Sequence, residues 1–159
     1  MKPHSDLEVV PFEASMADAC DQILTALPEW FGIPASNEEY IRSLPRLTTF
    51  VARLGGVVVG FVALERHFPQ SAENHVLAVH AEHHRQGIGR ALLSHSEQWL
   101  RRQGVEVFHV KTLGPSDPYL PYAKTRAFYM AFGFRPLFET TALWGKENPA
   151  LILAKAVGR

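Results

Sequence analysis

Residues 84–91 read His-Arg-Gln-Gly-Ile-Gly-Arg-Ala, placing two glycines and two arginines between an apolar run and an amphipathic one. Glycine at a strand-to-helix turn lets backbone N–H groups approach a ligand closely. The first turn of the following helix then offers donors without intrahelical partners, at the positive end of the macrodipole. Such a place suits phosphate, and Arg85 and Arg90 add charge. The segment has no third glycine of a dinucleotide fingerprint and no Gly-Lys-Ser/Thr of a P-loop, so neither of those sites is supported. Taken alone it also fits a plain glycine-rich helix start. Six of the eight histidines fall between residues 67 and 95, among them His80, His83 and His84. The cluster lacks His-Glu-x-x-His and a third ligand at useful helical spacing, so it reads as surface and phosphate-side histidines, with no metal expected. Cys20 sits on an apolar helical stripe and reads as core rather than nucleophile.

The elements that must position this chemistry are legible from periodicity. Leu7–Phe12 is a strand. Ser15 and Asp18 have the spacing of a capping box, and Met16, Cys20, Ile23, Leu24 and Leu27 recur at helical spacing up to Pro28. Ser36 and Glu39 open a second helix through Leu44, stopped by Pro45. Thr48–Leu54 and Val57–Glu65 are β-rich and joined by Gly55-Gly56, a tight hairpin. His75–Val79 is a strand, and Ile88 to Leu100 form one stripe of a helix ending at Gly104. Val105–Leu113 is a strand, and Thr125–Phe132 a short helix closed by Gly133. Glu139–Trp144 and Ala150–Ala156 are the last strands. The strand–helix–strand unit over 75–113 implies a parallel crossover and the hairpins antiparallel pairing, hence a mixed-sheet α/β or α+β domain.

Composition narrows the function classes. The 159 residues are 47% hydrophobic and 20% charged, which excludes intrinsic disorder and suits one packed domain. One cysteine excludes an intrachain disulfide framework and points to a reducing, cytoplasmic setting. Neither a signal-like apolar run at the start nor a membrane-length stretch occurs, so no membrane association is expected. The net charge of zero argues against a nucleic-acid partner. That zero hides a gradient: −5 over residues 1–50, 0 over 51–100 and +5 over 101–159.

Ala72–Val79 (AENHVLAV), His84–Ala91 and Phe128–Phe134 (FYMAFGF) together resemble the GNAT superfamily of N-acyltransferases over roughly residues 48–136. The family's pyrophosphate pattern, Gln/Arg-x-x-Gly-x-Gly/Ala, falls on His84, Gly87 and Gly89. Its later Phe-Tyr-x-x-x-Gly-Phe falls on Phe128, Tyr129, Gly133 and Phe134. Two departures stand out: His84 replaces Gln or Arg, and Tyr122 stands where many members carry Asn. The resemblance implies one GNAT domain over residues 1–159. Its sheet would be mixed and mostly antiparallel, with splayed parallel central strands and flanking helices.

It also implies acetyl-CoA as co-substrate. Backbone groups of Leu77, Ala78 and Val79 would hold the pantetheine arm. The stretch Arg85, Gln86, Gly87, Ile88, Gly89 and Arg90 would hold the pyrophosphate, with His84, Ala91, Tyr122 and Phe128 completing the cofactor contacts. An amine would attack the thioester directly, so a base must first deprotonate an ammonium near ~10.4. Glu73 is the first choice for that base and Glu65 the second. Tyr129 would return a proton to the departing thiolate. In water that donation, from ~10 to ~8.5, is uphill by roughly 2 kcal/mol. The acceptor side would be lined by 27–44, with Trp30, Phe31 and Tyr40, and by 139–148, with Trp144. An aromatic, acidic wall suits a small cationic amine or a peptide N-terminus. Longer-acyl transfer, a non-catalytic acyl-CoA sensor and a metal-dependent hydrolase are the competing readings, and a homodimer is left open.

Overall fold

A computed structural model describes residues 6–158, so the ends of the expected 1–159 domain lie outside the described residues. The chain forms two compact units. Unit 1 comprises the chain up to Glu65 together with His75–Trp99; unit 2 comprises Arg66–Asn74 and the chain from Leu100 onward. The elements run β1 (Leu7–Pro11), α1 (Ala17–Thr25), α2 (Pro34–Ser43), β2 (Thr48–Leu54), β3 (Val57–Phe68), β4 (Ser71–Val79), α3 (Ile88–Arg102), β5 (Val107–Leu113), α4 (Leu120–Phe132), β6 (Arg135–Thr140) and β7 (Ala150–Ala156). The strands follow the order β1-β2-β3-β4-β5-β7-β6 in a mixed, mostly antiparallel sheet with one parallel pair, β4–β5. Among the described residues, no helix is long and apolar enough to cross a membrane.

In unit 1, β1 pairs antiparallel with β2, and β2 with β3. Gly55 and Gly56 both have positive φ (57° and 81°), as a two-residue turn matching strand twist requires. Cys20, Ile23 and Leu24 from α1 bury against Leu44, Val51, Phe61 and Ala63. Within α3, Leu92 and Leu93 are fully buried. A Cβ on Gly60 would sit 3.1 Å from the Ala78 carbonyl oxygen, so glycine permits close approach of the two backbones there.

In unit 2, β7 pairs antiparallel with both β5 and β6. The parallel register of β4 and β5 runs from Ser71↔Val107 to Asn74↔Val110, and both strands continue past it. α4 ends at Gly133 (φ 117°), where the Phe134 N–H returns to the Tyr129 carbonyl at 3.1 Å. That closure, a Schellman-type end, ties Phe134 to the turn carrying Tyr129. Phe108, Phe134 and Tyr129 form an aromatic cluster with ring centroids 5.3 and 5.5 Å apart.

Several elements depart from the sequence reading. Ser15 makes no capping box: a short 3-10 turn over Ala14–Met16 leads into α1, whose cap has no side-chain hydrogen bond. α2 starts two residues early because Pro34 at its first position needs no N–H partner. α4 likewise begins at Leu120, with Pro121 in its first turn. The penultimate strand is 135–140, not 139–144. It lies at the sheet edge, exposed along almost its whole length, so it carries no apolar alternation and tolerates Pro136. β3 and β4 extend toward each other by three and four residues, which brings His67 and Glu73 inside paired strands.

Leu92→Ala should destabilise the fold by about 2–5 kcal/mol, since a fully buried leucine leaves a cavity. Urea unfolding measures this, and a loss below about 1 kcal/mol would contradict the packing described.

Candidate active site

Within β4, Ala72, Glu73 and Asn74 are consecutive and all buried, so the strand is covered on both faces. Consecutive side chains point to opposite faces, so Glu73 and Asn74 belong to different environments. On the Glu73 face, His109 of β5 stands directly in register, and Lys111 follows two residues on. Glu73 Oε1 accepts from His67 Nε2 at 2.8 Å, and Oε2 faces the Lys111 ammonium at 3.2 Å. Burial would push the Glu73 pKa up. The His67 bond and the Lys111 charge together outweigh it and hold the carboxyl below its ordinary 4.5. The rings of His67 and His109 stack with centroids 5.8 Å apart. Burial lowers the His109 pKa more than the Glu73 carboxylate raises it, which favours the neutral ring.

On the opposite face, Asn74 Nδ2 donates to the Tyr129 phenol oxygen at 3.0 Å. The phenol oxygen thus accepts from Asn74 and keeps its own proton for another acceptor. Burial pushes the Tyr129 pKa up, and the Asn74 bond offsets only part of that. Asn74 Oδ1 and Thr112 Oγ1 are buried without a hydrogen-bond partner. Alternation along β5 puts Thr112 on the same face as Val110, the register partner of Asn74. Two orphaned polar atoms on that face fit a ligand carrying amide or hydroxyl groups. Phe128 packs edge-on against Tyr129 at 5.2 Å, and Tyr122 lies against Tyr119 at 6.0 Å.

Unit 1 carries the glycine-rich turn. Arg85 has φ 62° and Gly87 φ 79°, two left-handed residues that bend the chain into α3. The Gly87 carbonyl accepts the Ala91 N–H at 2.9 Å, which places Ile88, Gly89 and Arg90 in the first helical turn. A Cβ on Gly87 would meet nothing within 4 Å, so the space beside this residue is open. His84 does not stand as a free phosphate donor through both nitrogens: its Nε2 donates to the Val79 carbonyl at 2.7 Å, and Trp30 packs edge-on to its ring at 5.8 Å. Of the expected pantetheine segment, Ala78 is buried while Leu77 and Val79 are half-buried.

The expected acceptor residues divide between the units. In unit 1, Phe31 meets Tyr40 at 5.9 Å and Tyr40 meets His75 at 5.5 Å, while His75 Nδ1 lies 3.6 Å from Glu65. In unit 2, Trp144 is 44% exposed on the turn after β6. That unit also holds an open cavity of about 360 Å³, lined by Asp117, Glu139, Thr140, Lys146 and Glu147 among others. Ser116 donates its N–H and hydroxyl to Glu139, whose carboxyl these bonds hold below its ordinary value. His67, Asn74, His109 and Lys111 escaped the sequence reading. Alternation alone puts His109 with Lys111, but their partner on β4 is set by strand register.

A comparison with curated protein sequences finds no match. Among solved structures, a candidate GNAT-family acetyltransferase from Desulfovibrio desulfuricans superposes with TM-score 0.85 at 16% identity, covering 96% of this chain and 99% of that one. The ribosomal-protein-S18-alanine N-acetyltransferase from Escherichia coli gives 0.78 at 20% identity, covering 96% and 95%. An aminoglycoside 6′-N-acetyltransferase complexed with coenzyme A gives 0.73 at 18%, covering 96% and 98%. At such identities the likeness is one of fold. Residues 45–136 match the acetyltransferase (GNAT) domain family, over more than half of the chain. The chain belongs to that family of acyltransferases.

Because the folded Glu73 pKa is depressed, its ionisation stabilises the fold above the ordinary carboxylate value and ceases to do so as pH falls through the folded one. Glu73→Gln should therefore be less stable than wild type at pH 7, and the gap should narrow steadily below pH 4.5. Denaturant titrations at pH 7 and in acid measure it; a gap unchanged by pH would contradict the pairing.

Proposed function

We propose that this chain transfers an acetyl group from acetyl-CoA to a primary amine, on a small molecule or a peptide, by direct attack. The observation that carries this reading is the buried Tyr129 phenol, which accepts from Asn74 and keeps its own proton to give. Acetyl-CoA, when bound, supplies the thioester to be attacked. The turn over 85–90 suits its pyrophosphate through first-turn N–H groups and the Arg85 and Arg90 charges. The orphaned Asn74 Oδ1 and Thr112 Oγ1 suit polar groups of its arm.

Tyr129 then protonates the leaving sulfur. Burial that raises the phenol pKa raises that of a thiol sharing its environment, as Cys20 illustrates: burial pushes its thiol up to about 12. The mismatch of roughly 2 kcal/mol in water is thereby not simply enlarged by the site. On the other face of β4, Glu73 supplies the negative charge that draws a proton from the incoming ammonium. The acidic side chains Asp117, Glu139 and Glu147 around the unit 2 cavity favour a cationic acceptor.

Release of free thiol from acetyl-CoA should rise above background with at least one of a polyamine, an aminoglycoside, an amino acid and an alanine-started peptide. Tyr129→Phe should lower kcat by about 10²-fold or more while acetyl-CoA affinity changes less than about threefold. Equal activity in the two proteins would remove the acid role. Tight acetyl-CoA binding with no release for any amine would favour a sensor over an enzyme.

A further inference from the structure

Glu73 is poorly suited to be the final resting place of the amine's proton. Its Oε1 already accepts from His67 and its Oε2 faces the Lys111 ammonium, and its carboxyl is held below its ordinary value. His67 differs in each respect. Its side chain is 41% exposed, where that of Glu73 is 6% exposed. Its Nε2 donates to Glu73, which in the neutral ring makes Nδ1 the nitrogen with the lone pair. A carboxylate behind an imidazole fixes its tautomer and stabilises the cation formed when the free nitrogen takes a proton. The neighbouring cation does not oppose this: Lys111 is already matched to the other Glu73 oxygen, and burial favours the neutral ring of His109, stacked on His67.

We propose that His67 is the proton acceptor of the transfer, with Glu73 a positioning residue that acts through it. The inference rests on the acetyltransfer reading above. The incoming ammonium gives one proton to His67 Nδ1, and its nitrogen lone pair forms the N–C bond to the acetyl carbon as the C–S bond breaks. The electron pair of that bond leaves on sulfur, which takes the proton of Tyr129, and the second proton of the attacking nitrogen passes to the phenolate, so that Tyr129 is restored as the neutral amide forms. His67 retains the Nε2–H bond to Glu73, so its positive charge is held against a carboxylate that is already ionised. The titratable groups facing His67 are Glu73 from β4 and His109 and Lys111 from β5, with Glu65 two residues earlier on its own strand.

The test compares two kinds of acceptor at pH 7.5: spermidine, whose amines arrive protonated, and hydroxylamine, which arrives neutral and needs no proton removed before it attacks. His67→Gln should lower kcat/KM for spermidine by about 10²-fold and for hydroxylamine by less than about threefold, each measured per folded enzyme. Glu73→Gln should show the same selectivity with a smaller loss. A parallel fall with both acceptors would mark His67 as merely structural and overturn the proposal. So would unchanged spermidine turnover in His67→Gln while the wild type is active. No thiol release from the wild type with hydroxylamine or with any amine of the panel above would overturn the acetyltransfer reading, and this proposal with it; where spermidine is not accepted, the accepted amine of that panel takes its place.

Discussion

A strand buried on both faces must find a partner for every polar side chain it carries, because an unpaired buried charge or amide costs several kcal/mol. β4 carries two such side chains in succession, Glu73 and Asn74, and meets the constraint differently on each face. Glu73 is enclosed by His67 and Lys111, contributed by the strands on either side. Asn74 is half-satisfied, donating to Tyr129 and leaving its carbonyl oxygen orphaned. The first face is electrostatically complete in itself. The second keeps two buried polar atoms, Asn74 Oδ1 and Thr112 Oγ1, without a hydrogen-bond partner.

In the proposed reaction that division between the faces separates two proton movements: the phenol would give a proton on one side of the strand, and the imidazole–carboxylate pair would take one on the other. Desolvation acts on both but with different results, because charge partners surround only the carboxylate. Cys20 in unit 1 is the control for burial without partners: its thiol is pushed up to about 12 and stays protonated and inert. A thiolate nucleophile on the chain is therefore not available at neutral pH, which fits direct attack by the amine.

The sequence disclosed what is local and missed what is set by register. Gly55-Gly56, Gly87 and Gly133 were readable because a positive φ favours glycine almost regardless of context, whereas Arg85, left-handed at φ 62°, carried no such signal. Tyr129 and Glu73 stood out through resemblance. Asn74, His67, His109 and Lys111 did not, since what joins them is which residue of β4 lies opposite which residue of β5, and that is decided across more than thirty residues of intervening chain. β6 was misread for another reason: an exposed edge strand has no buried face to impose a period of two. The bond from His84 Nε2 to the Val79 carbonyl was not legible either, because only the folded turn creates it.

Direct transfer across β4 is tested most directly by a single-turnover reaction of excess enzyme with labelled acetyl-CoA and an accepted amine, quenched over time and read by mass spectrometry. Direct attack predicts that labelled acetyl-amine appears at the rate acetyl-CoA is consumed, while the mass of the chain stays constant throughout. A transient acetyl adduct on the chain, formed and lost fast enough to carry the flux, would contradict it.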